Sequence, residues 1–244
     1  MRSLLLAFCL VAALAAPAVA QKAQPRAVND PPPAFETTPQ SAAAGADLFQ
    51  AIMFDSGLFE SAFEPMIAQV LPDVRASITS SPLYREATPR HRAALLAFVD
   101  TMPVILRTEL TTELMTVRGR IGPRFATIMS EEELTGLAAF MRDPQTRPVL
   151  QRYMDAFVGE EQSGRAREPD FTDEELAPME DFIDTPGGIA LLRVGDRLSD
   201  IMEEEFDAAT LRMQPRIESI IQGGICDALE NECPRVLREQ LGRT

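Results

Sequence analysis

The sequence predicts an all-α protein, a compact multi-helix bundle, and three observations predict it. Apolar residues recur at three- and four-residue spacing along most of the chain, and no stretch alternates apolar and polar residues long enough to demand a strand. The third is a helix-start motif written twice: residues 129–144 recur as residues 171–186 at a constant offset of 42. Between residues 129–150 and 171–192, six of 22 positions are identical: the Glu-Glu-Leu run, Phe140 with Phe182, Pro144 with Pro186, and Leu150 with Leu192. That placement predicts a duplicated unit of short helix, proline corner and longer helix. Two copies are too few to stack as a solenoid and fit a bundle.

The chain opens on an address. Arg2, an apolar stretch from Leu4 to Ala16 and the small-x-small pattern Ala18-Val19-Ala20 have the form of a secretory signal peptide, residues 1–20, cleaved after Ala20. The apolar stretch is too short to cross a bilayer comfortably, and Phe8 ahead of Cys9 argues against lipid attachment. The expected mature protein is therefore periplasmic or secreted, without a transmembrane anchor, in an oxidising compartment. Residues 21–45 are rich in Pro, Ala, Gln and Thr, with Pro31, Pro32 and Pro33 in a row. So few large apolar side chains cannot offset the entropy of ordering, and a disordered tether is expected there.

Residues 46–158 are expected to form a helical domain carrying the first motif copy, and residues 159–244 a second helical segment packed on it. Leu48, Ile52 and Met53 begin one apolar stripe. Phe59, Phe63, Met66, Ile67 and Val70 continue on a second segment punctuated by Pro65 and Pro72. Thr88 and Pro89 then give a helix start, a side-chain acceptor followed by a residue suited to the first turn. The stripe behind it runs through Leu95, Leu96, Val99, Met102, Val104, Ile105, Leu110, Leu114 and Met115, with a kink expected at Pro103.

The motif itself reads as helix grammar. Ser130 and Thr172 are acceptors for the free N–H groups of a helix start, and Glu133 and Glu175, three residues on, complete capping boxes. Glu131, Glu132, Asp173 and Glu174 place negative charge at the positive end of each helix dipole. Leu134, Leu137, Phe140 and Met141 share a face, repeated by Leu176, Met179, Phe182 and Ile183. Each short helix stops before Asp143-Pro144 or Thr185-Pro186, where the next begins. The second long helix is expected to run through Leu191, Leu192, Val194, Leu198, Ile201 and Met202 to about Met213.

These residues carry a resemblance. The stretch from Ala46 to Phe157, with Met129-Ser-Glu-Glu-Glu-Leu134, Leu137-Ala-Ala-Phe140 and Asp143-Pro144, resembles the bacterial exported family catalogued as domain of unknown function 2059. The first copy departs from the family's Ser-Pro-x-Gly corner, having Gln145-Thr146 after the proline, while the second keeps glycines in Thr185-Pro-Gly-Gly188. The resemblance implies a helical exported protein and brings no catalytic residues with it.

Composition excludes several functions. The formal net charge is −14, and removal of Arg2 makes it one unit more negative. Such a surface repels phosphate backbones and anionic headgroups, so neither nucleic acid nor an anionic membrane is an expected partner. Lys22 is the sole lysine, leaving none in the folded part for a Schiff base or a Ser-Lys dyad. His91 is the sole histidine and lies in a polar first helical turn, where a solvated side chain is the simpler reading than a catalytic one. The acidic runs Glu131–Glu133, Asp173–Glu175 and Glu203–Glu205 could supply paired carboxylates, yet consecutive helical residues diverge, and the first two runs already serve caps. Tryptophan is absent and only Tyr84 and Tyr153 are tyrosines, which leaves little surface for stacking a sugar. Gly223-Gly224 reads as a helix stop. Met66, Met102, Met115, Met141, Met154 and Met202 read as core filling rather than as a promiscuous groove. No catalytic residue, cofactor site or metal site is expected.

Cys226 and Cys233 are the two cysteines left after processing. On one straight helix they would stand about 10.5 Å apart, beyond bridging distance. With a turn between them, from Asn231 as a stop and Pro234 opening a new helix, a structural disulfide is expected, worth about 2.5 kcal/mol in the chain-entropy model. The chain is thus expected to be an exported, non-catalytic helical protein whose partner is another envelope protein or an apolar segment. Carriage of a small apolar or lipid-like ligand and a carboxylate-dependent hydrolase are the alternatives.

Overall fold

The computed structural model describes residues 34–152 and 171–229. Among these residues every regular element is a helix. The expected signal peptide, most of the expected tether, Tyr153, Met154 and Cys233 lie outside them, as does the expected turn after Leu229.

Helix α1, Pro39–Gln50, begins seven residues inside the expected tether. Its start repeats the Thr-Pro signal: Thr38 accepts from the Ser41 N–H at 3.1 Å, Ser41 returns the bond to the Thr38 N–H, and Pro39 sits in the first turn. The chain continues without a break into a π turn, Ala51–Asp55, closed by the Ser56 N–H donating to the Ala51 carbonyl five residues back. Helix α2, Leu58–Ser80, passes through both Pro65 and Pro72, which therefore do not end it. After the short α3, Pro82–Glu86, comes α4, Pro89–Phe125, capped by Thr88 and continuing past Pro103. Helices α5, Glu131–Arg142, and α6, Asp173–Ile183, are the short helices of the motif, and α7, Pro186–Leu229, follows the second corner.

The described residues divide into two compact units that are each discontinuous in sequence: the first comprises 34–62, 115–152 and 171–208, the second 63–114 and 209–229.

In the first unit, α1 lies on α5. Leu48, Phe49, Ile52 and Met53 are wholly buried there, as are Val117, Ile121, Phe125 and Met129. Phe49 meets Phe206 of α7 with ring centroids 6.2 Å apart. The α1–α4 crossing is tight enough that a methyl group on Gly45 would overlap the Gly122 carbonyl, and one on Gly122 would come within 2.8 Å of the Ala46 nitrogen. Arg142 at the end of α5 ties the last turn of α1 to the end of the π turn, donating to Asp47 at 2.7 Å and to Asp55 at 2.6 Å.

In the second unit, Leu95, Ala228 and Leu229 form a small core with Leu83, Tyr84, Ala94, Ile225 and Cys226 against it. Here α7 runs well past Met213, through Pro215 and Gly223-Gly224, to Leu229. The glycine pair is not a stop. Gly224 instead admits the Phe98 ring of α4, which occupies the space a methyl group would need. Glu113, 2% exposed, accepts from Arg212 and Arg216 of α7, each at 2.7 Å. Several residues placed in the core by their spacing lie outside it: Val70, Val104, Met115 and Leu192 are exposed.

Candidate functional site

The structure gives most of the weighed chemical candidates a structural role. Ser130 and Glu133 form the expected capping box, with the Ser130 N–H donating to Glu133 at 2.7 Å, and Thr172 and Glu175 form its counterpart at 3.0 Å. Glu133 also pairs with Arg193 at 3.0 Å, and Glu175 with Arg152. Of the third run, Glu204 and Glu205 are both engaged by Arg124, the latter at 3.0 Å. His91 is half-buried in the first turn of α4, not fully solvated, and its N–H donates to the Thr88 cap at 3.3 Å. Cys226 is half-buried against the small core of the second unit, and its expected pairing with Cys233 falls outside the described residues. Among the described residues, no three His, Cys, Asp or Glu side chains are grouped to hold a metal ion, and no helix is long and apolar enough to cross a membrane.

Sequence reasoning missed the clamp on Glu113, since arginines 99 and 103 residues away leave no local signal. Burial pushes the Glu113 carboxyl up, but the hydrogen bonds and charges of Arg216 and Arg212 outweigh that and hold it below its ordinary range. Asp47 is likewise held low, first by its bonds to Arg142. These acids are kept charged at neutral pH, the opposite of a carboxyl prepared to donate a proton.

The most distinctive surface comes from a difference between the two motif copies. In α5 the whole apolar stripe is covered: Leu134, Leu137, Phe140 and Met141 are all buried. In α6 only the phenylalanine is. Phe182 stacks on its counterpart Phe140, centroids 3.8 Å apart and planes 14° from parallel, while Leu176, Met179 and Ile183 are only partly buried.

The corner after α6 explains the asymmetry. Thr185 caps α7 by accepting from the Gly188 N–H at 3.2 Å, and Gly187 and Gly188 let backbone approach backbone. A methyl group on Gly187 would sit 2.8 Å from the Leu137 nitrogen of α5, and one on Gly188 would overlap the Phe182 carbonyl. With Gly187 turned toward α5, Ile189 two residues later points the other way and is 54% exposed. Leu192, three residues on, shares its face and is 42% exposed. The first copy, with Gln145-Thr146 at the corresponding place, ties its corner differently, the Thr146 hydroxyl donating to the Phe140 carbonyl at 2.8 Å.

Exposed acidic residues accompany this surface. Helix α6 carries five acidic residues and no basic one. Asp173, Glu174, Glu180, Asp181 and the following Asp184 are exposed, and no ion pair engages them among the described residues. Of the nearest bases on α7, Arg193 is committed to Glu133, and Arg197 lies a turn beyond. The arrangement offers partly exposed apolar area with negative charge alongside it.

Comparison with known protein families, characterised proteins and solved structures finds no match.

Proposed function

We propose that this is an exported, non-catalytic helical protein that acts by binding, its partner being another envelope protein or an apolar segment of one. The observation that carries the reading is the contrast between the motif copies. The first is closed into the core, whereas the second keeps the same apolar pattern with only Phe182 fully buried and the rest of it partly exposed. Leu176, Met179 and Ile183 on α6 stay only partly buried, and Ile189 and Leu192 early in α7 are exposed, which forgoes part of the folding benefit of burial. The engagement of the acidic runs by caps and arginines supports the same reading against a carboxylate-dependent hydrolase.

Membership of the exported family named above, cleavage after Ala20, the duplication of the helical unit and a disulfide between Cys226 and Cys233 belong to this proposal. The paired capping boxes and the stacking of Phe140 on Phe182 support duplication. Native mass spectrometry of the protein purified from its own exported compartment tests the whole reading. The expected spectrum shows the chain shortened by its first twenty residues, two mass units lighter for a disulfide, and in complex with a second polypeptide. A chain that never carries a partner, together with turnover of a substrate by the purified protein, would overturn it.

A further inference from the structure

We infer that the outer surface of α6 and the first turns of α7 is a docking site for a cationic amphipathic helix of a partner protein. This rests on the binding function proposed above and names the surface and the partner's chemistry. Leu176, Met179 and Ile183, each partly exposed, follow the three- and four-residue spacing of one helix face, the spacing that matches the apolar side of an amphipathic partner helix. Five exposed acids on and just after α6, without a base on that helix, set the electrostatics of the rim.

Charge complementarity selects the occupant. A second copy of this chain docking by the same face would bring two sets of five acids together, a like-charge contact that disfavours the symmetric dimer. An anionic lipid surface is repelled for the same reason. A neutral apolar ligand would gain nothing from the rim. A helix with leucine-like residues along one side and lysine or arginine beside them satisfies both the apolar stripe and the acids.

The test uses the full mature chain, residues 21–244, titrated calorimetrically with two synthetic amphipathic helices about five turns long. One carries leucine and lysine, the other the same leucines with glutamine replacing lysine. The lysine peptide should bind at least about tenfold more tightly at low salt, and the gap should close as salt is raised. The Met179→Gln/Ile183→Gln double variant should lose about tenfold for the lysine peptide, as truncation of central apolar anchors does. Replacing the rim acids by Glu180→Gln, Asp181→Asn and Asp184→Asn should lose several-fold and remove much of the salt dependence. The control Glu131→Gln/Glu132→Gln, which neutralises exposed acids at the start of α5, should leave binding unchanged.

Equal binding of the two peptides, or equal loss in the control, would overturn the inference by showing indifference to charge or attraction to net charge alone. The rim variants replace exposed residues, so they keep the test decisive even where the apolar double variant fails to fold. Failure of this surface is distinguishable from failure of the binding function. An envelope partner retained equally by wild type and by both α6 variants leaves the function standing and removes this site.

Discussion

Gly45 shows how one missing side chain positions a helix. The α1–α4 crossing leaves no room for a methyl group between Gly45 and the Gly122 backbone, and neither side can yield as a flexible side chain could. Gly45→Ala should therefore destabilise the protein by about 1–3 kcal/mol, read from chemical denaturation monitored by circular dichroism. The caps give a smaller effect: Ser130→Ala and Thr172→Ala should each cost about 1 kcal/mol, with Ser130→Asp nearly neutral. What was legible at this scale was local. Ser130 and Thr172 reach only three residues ahead, so their partners stand in the same short stretch of sequence. Thr38 and Pro39 carry the same signal as Thr88 and Pro89 and mark the true start of α1, but the Pro- and Ala-rich composition around them suggested a tether. Gly224 was misread because helix-stopping glycine and close-packing glycine are the same letter. Only the ring of Phe98, more than a hundred residues away, distinguishes them.

Among the elements, the instructive pair is α5 and α6. Their sequences predict equal amphipathic helices with equal faces toward a core, and both form where expected. Their environments differ because the Gly187-Gly188 corner directs backbone at α5, so α6 reaches the core chiefly through Phe182. Phe140 and Phe182 should consequently be coupled. A double-mutant cycle with Phe140→Leu and Phe182→Leu should give an interaction energy of about 0.5–1.5 kcal/mol, and additive effects would refute the stacking. Spacing identifies a stripe but not what covers it, which is why Val104 and Met115 on α4 and Leu192 on α7 lie outside the core despite fitting the pattern. The extension of α7 to Leu229 has the same origin. Pro215 is tolerated within it, and pairing of Arg212 and Arg216 with Glu113 and Glu109 supports the turns on either side.

For the whole molecule, charge couples folding to pH. Asp47 in the first unit and Glu113 in the second both have folded-state values depressed below the ordinary 3.8 and 4.5. Each carboxylate contributes stability that is fully present above its unfolded value and is lost as pH falls through the depressed folded value. Stability should hold from neutral pH to about 4.5 and decline below it, and Glu113→Gln should flatten part of that decline. At neutral pH the same substitution should cost about 1–3 kcal/mol, because two arginines lose their charged acceptor. Thermal melts across pH with wild type and Glu113→Gln check both statements.

The central claim is that the second motif copy is the binding version of a unit whose first copy is built into the core. Hydrogen exchange of the full mature chain, compared free and in complex with the partner isolated from its own compartment, tests it most directly. Predicted is added protection concentrated in residues 173–193, across α6 and the first turns of α7, with α5 unchanged. Protection confined to other helices, with residues 173–193 exchanging as in the free protein, would contradict it.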